Sequence, residues 1–265
     1  MVQTRAQERH EEGAKRKSGE LSRKPEANGH DAKRVHRARD DKGPIKEEHG
    51  FDSTVHRILE EYGEPPLKGL DPEKLPASQV VMAHILNALL SSTRISHELA
   101  RSALEVLLDA QYHDLKVLHG TSWYERTEVL TEGGYARYRE RMASFLGDLT
   151  KLIEEKYDND ASKILPKDKQ GDEARAELAG RLREIKGLGP VGIDIVMGGL
   201  QSYFPNICPF LDHRSRKMAE RIGLGDDVDR IYGAVGEDAD RMARMEVALT
   251  EVRLEKKENE FAGVV

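Results

Sequence analysis

The sequence predicts an all-α protein, and three observations favour this fold class. Apolar residues recur at three- and four-residue spacing through most of the chain after residue 51, which is typical of amphipathic helices. No segment of useful length alternates between apolar and polar residues as a half-buried strand does, and there is no internal repeat. With 265 residues, of which 38% are hydrophobic and 34% charged, the chain can bury a substantial core.

The first 50 residues differ from the rest in composition. They contain 13 Lys and Arg, 10 Asp and Glu and almost no large apolar side chains, which gives this segment a net charge of +3. Since the whole chain has a net charge of −6, residues 51–265 have a net charge of −9. A segment with the composition of the first 50 residues cannot bury enough surface to offset its ordering entropy, which predicts a disordered mixed-charge, basic tail over 1–50. Its basic clusters at 15–17 and 33–39 could be a nuclear-import signal, which would predict a location in the nucleus. They could also be a polyanion-binding arm, or part of a solvated tail without a specific role.

The first predicted helix follows this tail. Val55, Ile58 and Tyr62 lie on one helical face, and Gly63 with the prolines after it ends the helix. The segment 158–172 is rich in Asp, Lys, Pro and Gly and predicts a surface loop. Further apolar stripes predict helices at 80–92, 95–107, 138–153, 178–185, 193–200, 213–222, 227–233 and 238–256.

The Gly-rich turn "IKGLGPVG" (185–192) joins two of these helices. We expect Gly187 and Gly189 to adopt backbone conformations barred to other residues, and Gly192 to let the second helix pack close to the first. The first amides of that second helix lack partners and lie at the positive end of its dipole, which suits an anion such as a phosphodiester. The alternative is an ordinary packing device, because a Gly-terminated helix followed by a Pro-initiated one is common.

A second polar segment, "LDHRSRKMAERIGL" (211–224), begins with an aspartate at a predicted helix start. Asp212 precedes Arg214, Arg216 and Lys217, so an acid stands just ahead of a cluster of cations. The plain interpretation is a helix N-cap that stabilises the helix by ~1 kcal/mol. The density of charge also favours a site that binds phosphates.

Together these segments resemble the helix-hairpin-helix DNA glycosylase superfamily, of the endonuclease III-like group. Besides the two segments above, "ALLSSTRISHELARSAL" (88–104) and "GGYARYRERMASFLGDL" (133–149) resemble family motifs in the same order, and the likeness covers roughly residues 52–235. The resemblance implies a two-lobed fold within 51–265. A central helical barrel would span 77–208, a flanking lobe would combine 51–76 with 209–265, and a cleft between them would expose the hairpin and Asp212.

The resemblance also implies a function and its site residues. The chain would be a base-excision DNA glycosylase that flips a damaged or mismatched base out of double-stranded DNA, with Asp212 as the catalytic carboxylate. Thr93 would fill the gap left by the flipped base, and the protein would act as a monomer. The implied DNA-binding residues of the hairpin and of the segment after Asp212 are Gly187, Leu188, Gly189, Val191, Gly192, Arg214, Arg216 and Lys217.

Departures from the family pattern limit which reaction and which cofactors are expected. Val191 stands where bifunctional members carry a lysine, so a Schiff base with the sugar cannot form there and a monofunctional enzyme is expected. Cys208 is the only cysteine, which excludes a four-cysteine iron–sulfur cluster; no cofactor is expected except K⁺ on main-chain carbonyls of the hairpin, by resemblance. Uracil or thymine opposite guanine is the first expected substrate, because "GPVGID" resembles a mismatch-specific thymine glycosylase, and alkylated purines are the second.

Two other function classes remain open from sequence. The chain could be a non-enzymatic DNA-binding protein that keeps the fold, since the residues after Asp212 depart from the family pattern. It could also be a helical protein-interaction module, which the net charge of −9 outside the tail favours. A membrane-spanning protein is not expected, because no run of ~18 apolar residues occurs. The lone cysteine and the lack of a secretory signal predict an intracellular protein.

Overall fold

The structure is a computed structural model that describes the backbone of residues 44–261 and the side chains from residue 50 to 261. Over this range the chain is helical and contains no strand, so the predicted all-α class is confirmed. No helix in it is both long and apolar enough to cross a membrane. The helices are α1 (Pro44–Tyr62), α2 (Ala77–Ser91), α3 (His97–Asp109), α4 (Leu115–His119), α5 (Trp123–Glu132), α6 (Arg139–Tyr157), α7 (Gly171–Leu182), α8 (Pro190–Leu200), α9 (His213–Arg221), α10 (Val228–Ala234), α11 (Ala239–Glu255) and α12 (Glu258–Phe261).

The start of α1 differs from the sequence-based boundary. The helix begins at Pro44 and therefore includes the last residues of the segment 1–50 that composition assigns to a tail. The basic clusters at 15–17 and 33–39 lie outside the described residues, so the tail and its role stay predictions.

Helices α2 to α8 share one hydrophobic core with α2 at its centre. Helix α2 is apolar on most of its faces, which is expected of a helix surrounded by others, and Val81, Ile85 and Leu89 are fully buried. It packs against α3, against α8 and against a short 3-10 helix, Ala161–Ile164. Burial of apolar surface around α2 is therefore the main force that holds this half of the protein together.

The remaining helices form a second hydrophobic core. Val55 and Ile58 of α1 pack with Leu249 of α11, and Phe261 of α12 closes the cluster. Helix α11 packs against α1 and also contacts α8 and α9. The Asp212 segment is thereby connected to both cores, because α9 rests on α11 and α11 rests on the hairpin helix α8.

Two features of the first core differ from the sequence-based assignment. Helices α4 and α5 were not predicted, although α5 begins with a capping box in which Ser122 and Glu125 cap each other's backbone amides. The predicted surface loop 158–172 contains the 3-10 helix named above, whose Ala161 and Ile164 are fully buried against α2. The segment is mostly polar, but these two apolar residues are part of the core.

Helix α8 separates the two cores at a pair of adjacent glycines. A Cβ atom on Gly198 would lie 2.9 Å from Cγ of Glu246 on α11, and one on Gly199 would lie 2.5 Å from Nδ1 of His84 on α2. Both distances are shorter than real Cβ contacts, so a side chain at either position would displace Glu246 or His84. These glycines allow α8 to touch a polar side chain from each core.

Candidate active site

The turn between α7 and α8 requires glycine at one position. Gly187 has φ +88°, a left-handed conformation that side-chain-bearing residues rarely adopt, and a Cβ atom there would overlap the ring of Phe145. Gly189 has φ −86° and faces open space. The expectation that both glycines need unusual conformations is therefore wrong for Gly189, where any residue could adopt the backbone angles.

The third glycine of the motif packs differently from the prediction. Gly192 is buried, and a Cβ atom on it would meet Leu188 within the turn and Ser92 at the end of α2. Its nearest neighbours are thus not residues of α7, the first helix of the hairpin. Leu188 is itself 5% exposed, and its amide donates to the carbonyl of Ile185 at 3.1 Å, so Leu188 presents neither its side chain nor its N–H to a ligand.

The N-terminus of α8 is open for an anion. Its N-cap residue Gly189 provides no side-chain cap, and Pro190 has no N–H. Among the described residues, the amides of Gly189, Val191 and Gly192 have no hydrogen-bond acceptor. Gly189 is exposed and Val191 partly exposed, so their donors can reach a ligand at the positive end of the helix dipole.

The same turn has oxygen atoms of the kind that bind a monovalent cation. The carbonyls of Lys186 and Gly187 accept no hydrogen bond within the described part of the chain, whereas that of Ile185 accepts one from Leu188. Carbonyl oxygens are hard ligands suited to such ions. Two carbonyl oxygens are therefore free to act as ligands at the predicted K⁺ site, which stays a prediction. No group of three His, Cys, Asp or Glu side chains in residues 50–261 is arranged to hold a metal ion.

Asp212 is the N-cap of α9. Its Oδ1 accepts a hydrogen bond of 2.6 Å from the amide of Ser215, so the plain interpretation as a helix cap holds. Its other carboxylate oxygen, Oδ2, has no hydrogen-bond partner among the described side chains and backbone groups. One oxygen thus fixes the side chain while the second stays available for chemistry.

The segment that leads from α8 to Asp212 is held by two polar side chains. Gln201 is fully buried; its Nε2 donates to the carbonyl of Phe210 at 2.9 Å, and its Oε1 accepts from the amide of Phe210 at 2.9 Å. Arg175 on α7 donates to the carbonyls of Ile207 and Pro209 at 2.9 and 3.0 Å. Because Arg175 lies on α7 and Gln201 is the C-cap of α8, these bonds hold the segment before Asp212 next to the two hairpin helices.

Asp212 lines a cavity of about 540 Å³ between the two cores, hereafter the inter-core cavity. Val191, from the first turn of α8, lines the same cavity, and so do Thr93 and Arg214. Helices α1, α3 and α11 provide much of the remaining wall, including the ion pair of Arg101 with Glu251 at 3.0 Å. The structure therefore brings the predicted catalytic residue, the hairpin helix and two predicted DNA contacts together at one site.

Two further carboxyl groups surround Asp212, and neither was predicted from sequence. Glu246 on α11 accepts hydrogen bonds from the amide of Asp212 at 3.2 Å and from the hydroxyl of Ser215 at 2.9 Å. Burial raises the pKa of Glu246 to about 8, and the charge of Asp212 acts in the same direction. Burial and then the charge of Asp212 also raise the pKa of Asp194 on α8.

The remaining predicted contacts differ in their surroundings. The hydroxyl of Thr93 bonds to Tyr135 Oη at 2.8 Å and to the carbonyl of Leu90 at 3.0 Å, so it is tied to the first core while the residue lines the cavity. Arg214 and Lys217 are exposed. Arg216 is exposed as well and approaches Asp226 at 3.6 Å, a weak surface ion pair that a phosphate could replace.

The chain is similar to a solved structure of a bacterial DNA glycosylase. This is the H. pylori 3-methyladenine DNA glycosylase (MagIII) bound to 1,N6-ethenoadenine. The sequences are 16% identical, the match covers 78% of this chain and 98% of that chain, and the TM-score is 0.46. No protein-family model and no curated protein matches the chain.

Proposed function

We propose that the protein is a monofunctional DNA glycosylase that excises a damaged or mismatched base from double-stranded DNA. The observation that carries this proposal is the position of Asp212, which has one free carboxylate oxygen and lines the inter-core cavity together with Val191 from the open N-terminus of α8. A carboxylate and a phosphate-binding turn at one cavity match the needs of a reaction on a single nucleotide. A helical protein-interaction module does not require a carboxylate and an open helix N-terminus at the same cavity.

The proposed reaction begins with rotation of a nucleotide out of the duplex, because the bond between base and sugar is otherwise buried in the stack. The sugar gains positive charge at C1′ as the base leaves. The Asp212 carboxylate would stabilise that charge and orient a water molecule for attack, with Oδ1 held by Ser215 and Oδ2 free for this role. The rotated base would enter the inter-core cavity.

The proposed enzyme hydrolyses the bond and leaves the DNA strand intact. Strand cleavage through a Schiff base requires an amine beside the sugar. Val191 occupies the first turn of α8 at the cavity, where bifunctional members of the family carry their lysine. Helix α8 contains no lysine, so no amine on this helix can form the covalent intermediate.

The hairpin would position the duplex. The exposed amides of Gly189 and Val191 would bind a phosphate next to the rotated nucleotide, with Arg214, Arg216 and Lys217 contacting others. We further propose that Lys186 and Gly187 carbonyls bind K⁺, whose charge would strengthen this phosphate contact. The nucleus as location and the monomeric state belong to the same proposal.

Asp212→Asn is the decisive variant. Asparagine caps helices about as well as aspartate, so α9 should fold normally while the negative charge is lost. We expect the single-turnover rate of base release to fall about a hundred- to a thousandfold, as for other single electrostatic contributors. The assay uses duplexes with one altered base, namely uracil or thymine opposite guanine or an alkylated purine, followed by alkali-induced strand cleavage. Strand breaks without alkali in the wild type would contradict the monofunctional assignment.

The alternatives give different results in this assay. A non-enzymatic DNA-binding protein would bind an abasic-site duplex but release no base from any member of the panel. A protein-interaction module would not bind the duplex at all. An Asp212→Asn variant that matches the wild type in rate and in melting temperature would refute the assignment of Asp212 as the catalytic carboxylate.

A further inference from the structure

Glu246 occupies a junction of three helices. It belongs to α11, it accepts the hydrogen bonds from Asp212 and Ser215 at the start of α9, and its Cγ fills the space that Gly198 of α8 leaves free. Both of its carboxyl oxygens are engaged by donors that belong to the cap containing Asp212. A single side chain thus connects the hairpin helix, the second core and the proposed catalytic residue.

The contact with Asp212 acts on the main chain. The amide of Asp212 donates to Oε2 of Glu246, while the carboxylate of Asp212 binds the amide of Ser215. Ser215 is fully buried, and its hydroxyl is bound to Oε1 of Glu246. Glu246 therefore holds both ends of the short segment that determines where the Asp212 carboxylate lies.

We propose that Glu246 is a positioning residue, whose carboxyl group holds the Asp212–Ser215 segment in place and thereby keeps the Asp212 carboxylate at the inter-core cavity. The proposal rests on the proposed role of Asp212 in base release. It differs from that role because Glu246 acts on Asp212 through the main-chain amide of that residue and through Ser215.

Burial is the main cause that favours the neutral form of Glu246. The charge of Asp212 and then that of Asp194 on α8 also raise its pKa, whereas the hydrogen bonds from Ser215 and from the Asp212 amide lower it. Glu246 lines the inter-core cavity, to which α1 presents Glu61 and Tyr62 and α3 presents His97 and Arg101. With a pKa of about 8, the carboxyl keeps its proton at pH 7. The Ser215 hydroxyl, which donates to Oε1 of Glu246, also lies 3.4 Å from Thr250 Oγ1.

Glutamine reproduces this neutral carboxyl group. In Glu246→Gln the amide oxygen can accept from Asp212 and the amide nitrogen can donate to Ser215, whereas Glu246→Ala removes both bonds. We expect Glu246→Ala to lower the rate of base release about ten- to thirtyfold at pH 7, with unchanged affinity for an abasic-site duplex. Glu246→Gln should stay within about threefold of the wild type, because it keeps both hydrogen bonds.

A control variant tests whether loss of an acidic side chain elsewhere on the protein affects the rate of base release. Glu220→Gln removes a negative charge from an exposed site on α9, and it should leave the rate unchanged. Equal rates in Glu246→Ala and the wild type would overturn the proposal. So would a Glu246→Gln variant that is as slow as Glu246→Ala, because the retained hydrogen bonds would then have no effect.

A second measurement is independent of base release. In the ¹⁵N-labelled full chain, the amide resonances of Asp212 and Ser215 should shift with a midpoint near pH 8 in the wild type and in Glu220→Gln, and should lose this titration in Glu246→Gln. An unchanged titration in Glu246→Gln would refute the link between Glu246 and Asp212. If the wild type releases no base from any duplex, the proposed function fails, and this titration still decides whether Glu246 controls the Asp212 segment.

Discussion

His84 on α2 is a histidine that is only 3% exposed. Burial lowers its pKa to about 4, because the apolar surroundings disfavour the charged imidazolium. In the unfolded chain the same residue has an ordinary pKa near 6.5. Between about pH 6.5 and 4 the unfolded state therefore binds more protons than the folded state, and the folded state loses stability as the pH falls through this window.

Replacement of His84 should remove this acid sensitivity. We expect His84→Leu to melt with a smaller decrease between pH 7 and pH 4 than the wild type, the histidine accounting for up to about 3 kcal/mol of the loss. Thermal melting at a series of pH values measures it. As a control, His119→Gln at an exposed histidine should keep the wild-type pH dependence, and a His84→Leu curve parallel to the wild type would contradict the prediction.

Glu246 has the opposite effect on stability. Its pKa in the folded state, about 8, lies above its usual value of 4.5. Between those values the folded state binds more protons than the unfolded one, so stability falls as the pH rises through about 4.5 to 8. Burial of His84 and of Glu246 thus acts against stability at opposite ends of the pH range.

At the scale of the element, the hairpin turn contains two glycines with different tasks. Gly187 has a left-handed backbone and no room for a Cβ atom, whereas Gly189 has ordinary angles and open space around it. The first is thus required by the fold. Gly189 and Val191 carry amides without an acceptor among the described residues at the end of α8, and under the proposed function the absence of a side chain at Gly189 would leave the backbone accessible to a phosphate.

Alanine at the two positions separates these tasks. Gly187→Ala should destabilise the protein by about 1–3 kcal/mol, through backbone strain and the overlap with Phe145. Gly189→Ala should change stability by less than about 0.5 kcal/mol but weaken binding to an abasic-site duplex, because its methyl group stands where a phosphate approaches. Melting curves and fluorescence anisotropy provide the two measurements. Wild-type DNA affinity in Gly189→Ala would count against phosphate binding at this turn.

The sequence predicts elements with strong local signals and misses those with weak ones. The long amphipathic helices and the hairpin were found because their apolar spacing and glycines are local features. Helix α5 was missed because its hydrophobic stripe is weak, although the Ser122–Glu125 capping box was available as a signal. The buried residues of 161–164 were missed because a polar composition outweighs two apolar residues.

The candidate site was only partly predictable for a related reason. Asp212 and the hairpin lie within recognisable motifs, whereas Glu246 is an isolated acid on a helix. Its position between the buried residues Met242, Met245 and Leu249 was a sequence signal, since an acid on an apolar face requires partners. Those partners, Asp212 and Ser215 at the start of α9, are distant in sequence, and only the folded chain identifies them.

At the scale of the whole molecule, the charge distribution limits how the proposed complex with DNA can form. Residues 51–265 have a net charge of −9, so the proposed binding of a polyanion would depend on a few local cations. Arg214 is exposed and lines the inter-core cavity. Arg221, on the same helix, pairs with Glu258 at 3.3 Å and is not part of the cavity wall.

These two arginines form a matched pair for binding experiments. We expect affinity for an abasic-site duplex to fall with salt, because phosphate contacts release counterions. Arg214→Ala should reduce the slope of log K against log salt by about 1, while Arg221→Ala should leave it unchanged. Titrations at several salt concentrations measure the slopes. Identical slopes in all three proteins would exclude Arg214 as a phosphate contact.

The adjacent glycines of α8 limit how the site can change. A side chain at Gly198 would collide with Glu246, and one at Gly199 would collide with His84. A larger residue at Gly198 would displace the side chain that binds the Asp212 amide, and no residue is smaller than glycine, so this wall cannot be moved back by substitution. Under the proposed function, adaptation to bulkier DNA lesions, in evolution or in directed mutagenesis, would have to proceed through α3 and the loop after α1, which supply other parts of the lining.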